Sequence, residues 1–181
     1  RRKTYDHISN GMMASAAELG ITTKSDGIIT LPEGMGKPGD DAREILQLDD
    51  TIFDVNITPD RGYALSARGL TREIASAFDL TFTDPAADPQ VAAVDTSQVP
   101  AVQGSLIDVT VDDSTRARRF GLAKVEGIDP AAKAPFWMQR ELMLSGIRSV
   151  NAATDVTNYV MLLLGQPMHA FDADKISGNL H

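Results

Sequence analysis

Two side chains have the types and the setting for chemistry, Arg148 and His169, and they flank the clearest periodic stretch of the chain. An imidazole exchanges protons near neutral pH. A guanidinium presents several donors in a fixed fork and suits a carboxylate or a phosphate. Between them Val156, Tyr159, Val160, Leu163 and Leu164 recur at the spacing of one apolar helical face. Thr154 or Asp155 is expected to cap this helix by accepting from a free backbone N–H. Gly165 is expected to end it in the left-handed conformation, and Pro167 cannot continue it. Arg148 follows another glycine stop at Gly146, and His169 follows Gln166-Pro167. A cation and an imidazole held in loops against one buried helix would form a pocket wall for an anionic or ester-bearing ligand.

Taken alone, each side chain also has a structural reading. A lone histidine beside an apolar helix more often packs than reacts, and a lone arginine more often joins an ion pair. His169, Asp172 and Asp174 are weak as a metal set, because divalent sites usually need three or more protein ligands in closed geometry. Asp172 is better suited to ordering its own loop through backbone N–H groups. No serine sits in the glycine pattern of a hydrolase nucleophile elbow. Gly34-Met35-Gly36 lacks the Lys-Ser/Thr end of a phosphate loop. The apolar Trp137–Leu144 stripe reads as core, not as a cofactor box.

The elements that position these residues follow from the chain in order. Residues 1–33 read as irregular β structure with a helical turn from Ser15 ended by Gly20, and a short strand from Gly27 stopped by Pro32. Asp41 and Glu44 have capping-box spacing, with Ala42, Ile45 and Leu46 turned to the core. Residues 50–57 alternate as a strand with Phe53, Val55 and Ile57 on one face. A turn at Thr58-Pro59-Asp60-Arg61-Gly62 leads to a helix capped by Ser66 and reaching about Phe78, with Leu70, Ile74, Ala77 and Phe78 buried. Residues 81–104, broken by Pro85, Pro89 and Pro100, read as a linker. Residues 105–127 read as two strands, and Pro135 opens an apolar helix that Gly146 closes.

Two long blocks in the right order carry a resemblance. Phe136-Trp137-Met138-Gln139, Gly146-Ile147-Arg148, Asp155-Val156-Thr157-Asn158-Tyr159-Val160-Met161, Gly165-Gln166-Pro167 and His169-Ala170-Phe171-Asp172 form one. Ile57-Thr58-Pro59-Asp60-Arg61 with Leu65-Ser66, Gly69-Leu70 and Arg72-Glu73-Ile74-Ala75 form the other. Together they resemble the bacterial phenylalanyl-tRNA synthetase beta-subunit family. Ser149, Ala152 and Leu164 depart from the first block's usual pattern, and Asp60, Gly62 and Tyr63 from the second's.

The resemblance implies an α+β fold in pieces. Residues 1–33 would be the end of an OB-type tRNA-binding module, with too few strands to close a barrel of about five. Residues 34–80 would be a small strand–turn–helix domain, 81–104 the linker, and 105–181 the N-terminal part of a mixed α/β editing-type domain. It further implies an intact enzyme that joins phenylalanine to tRNA(Phe) with ATP and Mg²⁺ in the cytoplasm, as an α2β2 assembly with alpha subunits. This piece would bind neither ATP nor metal and would hold none of the synthetic site. Its editing pocket, hydrolysing Tyr-tRNA, would use Arg148 for the tRNA terminus and His169 for the ester or water, with further residues beyond His181. A hydrophobic pocket rejects an added hydroxyl poorly, which is why such editing is needed. The alternative is a non-catalytic tRNA-contact or scaffold module.

Composition bounds these readings. The chain has 181 residues, 43% hydrophobic and 23% charged, which is a globular balance. It contains no cysteine, so disulfides and thiolate chemistry are excluded. No apolar run approaches the roughly 20 residues of a membrane span, and no signal-peptide core follows the polar first residues. The absence of an initiator Met suggests a piece of a longer chain. A formal charge of −8 argues against strong autonomous tRNA binding, although Arg116, Arg118 and Arg119 form a local basic cluster.

Overall fold

The computed structural model describes residues 2–21, 25, 27–87, 107–113, 116 and 120–181. Helix predominates over strand, an α+β composition. The chain divides into two compact units built from interleaved stretches: Arg1–Asn56 with Lys133–Val150, and Ile57–Ala132 with Asn151–His181.

In the first unit a hairpin pairs β1 (Arg2–Thr4) with β2 (His7–Ser9). Tyr5 and Asp6 both take positive φ in its two-residue turn, the backbone that matches the twist of a tight hairpin. The turn from Ser15 is closed by a reciprocal cap: Ser15 N–H donates to Glu18 Oε2 at 2.8 Å, and Glu18 N–H donates to Ser15 Oγ at 3.2 Å. Its end is the expected Gly20, at φ 73°. The strand expected from Gly27 is reduced to a single bridge between Ile28 and Ser15.

Helix α1 (Ala42–Ile45) begins as expected at Asp41, whose carboxylate accepts from Arg43 N–H at 2.9 Å. Of its expected core residues Leu46 is fully buried, Ile45 is half-buried and Ala42 is exposed. Helix α2 (Ala67–Ala77) belongs to the second unit and α3 (Phe136–Leu144) to the first. Met138 and Leu142, four residues apart on one side of α3, are buried, as is Ala134 just before the helix. Trp137, expected in that core, is 52% exposed because it lies off this row.

Residues 50–57 take no regular secondary structure and pair with no strand among the described residues. Phe53 is 80% exposed, Val55 is exposed and Ile57 is half-buried. Alternation specifies two faces only when a neighbouring strand supplies the ladder and a core covers one face, and the described residues supply no such strand.

In the second unit a 3₁₀ turn, Pro59–Ala64, packs against α2. Ser66 caps α2 as expected, accepting from Gly69 N–H at 3.1 Å. The residues of this junction that are buried are small: Ala64, Ser66, Gly69 and Ala75. Small side chains let backbones approach closely, and a Cβ on Gly69 would lie 1.9 Å from the Tyr63 carbonyl oxygen. The expected stripe is largely uncovered: Leu70 is half-buried, while Ile74, Ala77 and Phe78 are exposed. What fixes α2 is polar. Glu73 receives Arg61 Nη1 at 2.9 Å and the Tyr63 hydroxyl at 2.6 Å, and Arg68 forms a two-pronged pair with Asp84 at 2.8 and 2.6 Å. Arg72 also lies 5.2 Å from the Phe82 ring centre. The N-terminal end of the expected linker is thus bound to α2, and residues 88–104 lie outside the described residues.

Helix α4 (Ala152–Leu164) packs on α2. Asn151, not Thr154 or Asp155, caps it: Asn151 Oδ1 accepts from Thr154 N–H at 2.9 Å. Asp155 is instead fully buried within the first turn. The expected apolar face is half-buried, and Val156 at its start is exposed. Of the two strands expected in 105–127, residues 107–113 show one parallel bridge, Val109 with Leu180, and residues 120–125 are unpaired.

Candidate functional site

Arg148 stands just beyond a closed helix end. Gly146 N–H donates to Met143 O at 3.0 Å and Ile147 N–H to Leu142 O at 2.8 Å, the paired bonds of a Schellman turn. This turn requires a left-handed residue, and Gly146 supplies it at φ 77°. The chain leaving α3 therefore inherits its direction from the last helical turn. Its far side is tied where Lys133 Nζ donates to Val150 O at 2.7 Å. Arg148, between these two ties, is exposed.

His169 follows an analogous exit. Gly165, at φ 73°, closes α4 by donating to Met161 O at 2.8 Å. The chain runs irregularly from there, and His169 is exposed with its ring 6.1 Å from that of Phe171 and tilted by 42°. Asp172 orders the adjoining 3₁₀ turn as expected: it accepts from Asp174 N–H at 3.2 Å and pairs with Lys175 at 3.2 Å. The described residues contain no group of three or more His, Cys, Asp or Glu side chains able to hold a metal ion. Arg116 pairs with Asp113 at 3.1 Å on the surface, and Arg118 and Arg119 lie outside the described residues.

Arg148 falls in the first unit and His169 in the second. The first unit contains an open depression of ≈ 640 Å³, lined by residues 50–54 and by Glu141, Leu144, Ser145 and Gly146. Asp50, Asp54 and Glu141 give it an acidic wall, a poor seat for an anion.

The residue that sequence reasoning missed is Arg140. It is 7% exposed, the buried cation of α3. Its Nε donates to Leu46 O at 3.0 Å, its Nη2 to Gln47 O and to Asp50 Oδ2 (the latter at 2.8 Å), and its Nη1 to Glu141 Oε1 at 3.0 Å. The Arg140 guanidinium, and next the Thr51 N–H, hold the Asp50 carboxyl below its ordinary range. The available signal was a spacing: Arg140 follows Phe136 by four residues and precedes Leu142 by two in a helix whose ends are apolar, Phe136-Trp137-Met138 and Leu142-Met143-Leu144.

Residues 116–181, which include both Arg148 and His169, match the B3/4 domain family. Over 180 residues the chain is 69% identical to the phenylalanine–tRNA ligase beta subunit of Corynebacterium glutamicum, an alignment that takes in 99% of this chain and 21% of that protein. The chain belongs to the phenylalanine–tRNA ligase beta-subunit family. Beta subunits from Nocardia farcinica and Thermobifida fusca are 51% and 48% identical over 99% and 98% of the chain, which covers 20% of each. This beta-subunit segment therefore spans about a fifth of the length of the curated relatives it matches.

Proposed function

We propose that this segment serves a phenylalanine–tRNA ligase that attaches phenylalanine to tRNA(Phe) using ATP and Mg²⁺, working in the cytoplasm as an α2β2 assembly with alpha subunits. Within it, residues 105–181 form the N-terminal part of an editing-type domain that hydrolyses Tyr-tRNA. Residues 1–33 end an OB-type module, 34–80 form a small strand–turn–helix domain, and 81–104 join the two. The reading rests on 69% identity over 99% of the chain together with a B3/4 match that contains both candidate residues. On this reading ATP and Mg²⁺ are bound by another part of the intact enzyme.

Arg148 grips the phosphate or terminal ribose of the tRNA end through its donor fork. His169 positions the ester or the attacking water, or moves a proton in that step. Both are exposed, so a large substrate reaches them. The experiment is His169→Ala in the full-length assembled enzyme, with Tyr-tRNA hydrolysis, Phe-tRNA synthesis and melting temperature measured on one preparation. Hydrolysis should fall, by up to about 10²–10⁴-fold if proton transfer is lost, while synthesis holds. Unchanged hydrolysis in the folded variant would remove His169 from the site.

The second reading is a non-catalytic tRNA-contact or scaffold module. There His169→Ala would lower the melting temperature and depress both activities together.

A further inference from the structure

The geometry points to Arg140 as the positioning residue of the Arg148 loop. This rests on the reading of Arg148 as a tRNA-terminus contact. Arg140 links two helix ends of the same kind. Helix α1 finishes in a Schellman turn: Gln47 N–H donates to Glu44 O at 3.1 Å and Leu48 N–H to Arg43 O at 2.9 Å. The carbonyls of Leu46 and Gln47 at that end accept from Arg140, as does the Asp50 carboxylate. A cation at a helix C-terminus satisfies carbonyls that the helix leaves unpaired and meets the negative end of its dipole.

Arg140 is the middle residue of α3, two positions before Leu142 and three before Met143, whose carbonyls close the helix at Ile147 and Gly146, so its grip holds the turn that leads into that end. The Gly146–Met143 and Ile147–Leu142 bonds carry that fixed direction to Arg148, and the Lys133–Val150 bond holds the loop's other side. A guanidinium is needed because three of these acceptors, the carbonyls of Leu46 and Gln47 and the carboxylate of Asp50, lie around one planar fork. A lysine would reach fewer of them. Arg140 touches no reacting atom. It sets where Arg148 stands before the tRNA arrives, and pre-positioning of this kind reads out in substrate binding.

The test uses the full-length beta subunit assembled with its alpha subunit and compares Arg140→Met, Arg140→Lys, Asp50→Asn, Arg148→Ala and the Arg140→Met/Arg148→Ala pair. Asp50 is exposed, so Asp50→Asn keeps the carbonyl contacts and serves if Arg140→Met fails to fold. The readouts are kcat and half-saturating Tyr-tRNA concentration for hydrolysis, with Phe-tRNA synthesis as control. Arg140→Met should raise the half-saturating concentration about three- to tenfold, the effect of about one lost hydrogen-bonded contact, with kcat and synthesis little changed. Arg140→Lys should recover part of the loss, and Asp50→Asn should shift it by a smaller factor. The pair should be no worse than Arg148→Ala alone, because both changes remove one grip. A shift with Arg148→Ala but none with folded Arg140→Met or Asp50→Asn overturns the role of Arg140 and leaves that of Arg148. Additive losses in the pair also overturn it. No shift with Arg148→Ala overturns the editing reading, and the role of Arg140 in that reaction with it.

Discussion

Arg140 donates to the carbonyl of Gln47, and Gln47 is a residue with positive φ, 50°, at the C-terminal turn of α1. A side chain with a Cβ pays about 1–2 kcal/mol in that left-handed region relative to glycine. The arginine therefore braces a turn that its own residue disfavours. Gln47→Gly should keep the turn and raise stability by up to about 1 kcal/mol, less than the full left-handed cost because glycine also gains freedom in the unfolded chain. Urea unfolding monitored by circular dichroism measures this. A loss of stability would mean that the exposed Gln47 side chain contributes more than its backbone costs.

Gly69 should not tolerate a methyl group. The added carbon would meet the Tyr63 carbonyl oxygen at 1.9 Å, and a backbone atom cannot rotate aside. Gly69→Ala should destabilise by about 1–3 kcal/mol, the usual range for overpacking, despite alanine's better helix propensity. A thermal melt distinguishes the two effects by sign, since propensity alone would raise the midpoint.

Asn151→Ala should lower stability by about 1 kcal/mol through loss of the α4 cap. Thr154→Ala should cost less, because Thr154 contributes its backbone N–H to that cap and alanine keeps it. Equal losses in the two variants, read from denaturant midpoints, would contradict this assignment.

Acid should open the start of α1 late. Hydrogen bonds from the Arg43 side chain, and then its backbone N–H, hold the Asp41 carboxyl down at about 2, below an ordinary 3.8. The group is depressed in the folded chain, so its stabilising contribution is complete above the ordinary value and disappears as pH falls toward about 2. A carboxyl carbon titration by NMR should place the Asp41 midpoint in that low range. Arg43→Ala should move it back up, and a wild-type midpoint near 3.8 would count against the Asp41–Arg43 pair.

Much of the helix punctuation was legible in the chain because capping is local. Asp41, Ser66, Gly20, Gly146 and Gly165 act on backbone groups within about a turn, and each does what its type and place led us to expect. The family was legible for another reason: Arg148 and His169 sit inside long ordered blocks of residues, and the match holds over 99% of the chain. Asn151 shows where local reading stops, since Thr154 and Asp155 have capping side chains too, and the helix starts early enough that Asn151 takes the role.

Tertiary structure alone decided the rest. The alternation of residues 50–57 describes a strand, but a ladder needs a partner, and Phe53 remains 80% exposed without one among the described residues. Arg140 reads as an ordinary helix cation until folding brings Leu46, Gln47 and Asp50, about 90 positions earlier, within reach of its fork. Gly69 reads as a flaw in a helix until the Tyr63 carbonyl lies against it. In each case the deciding group is distant in sequence, or lies on another element, and only packing determines whether it is there.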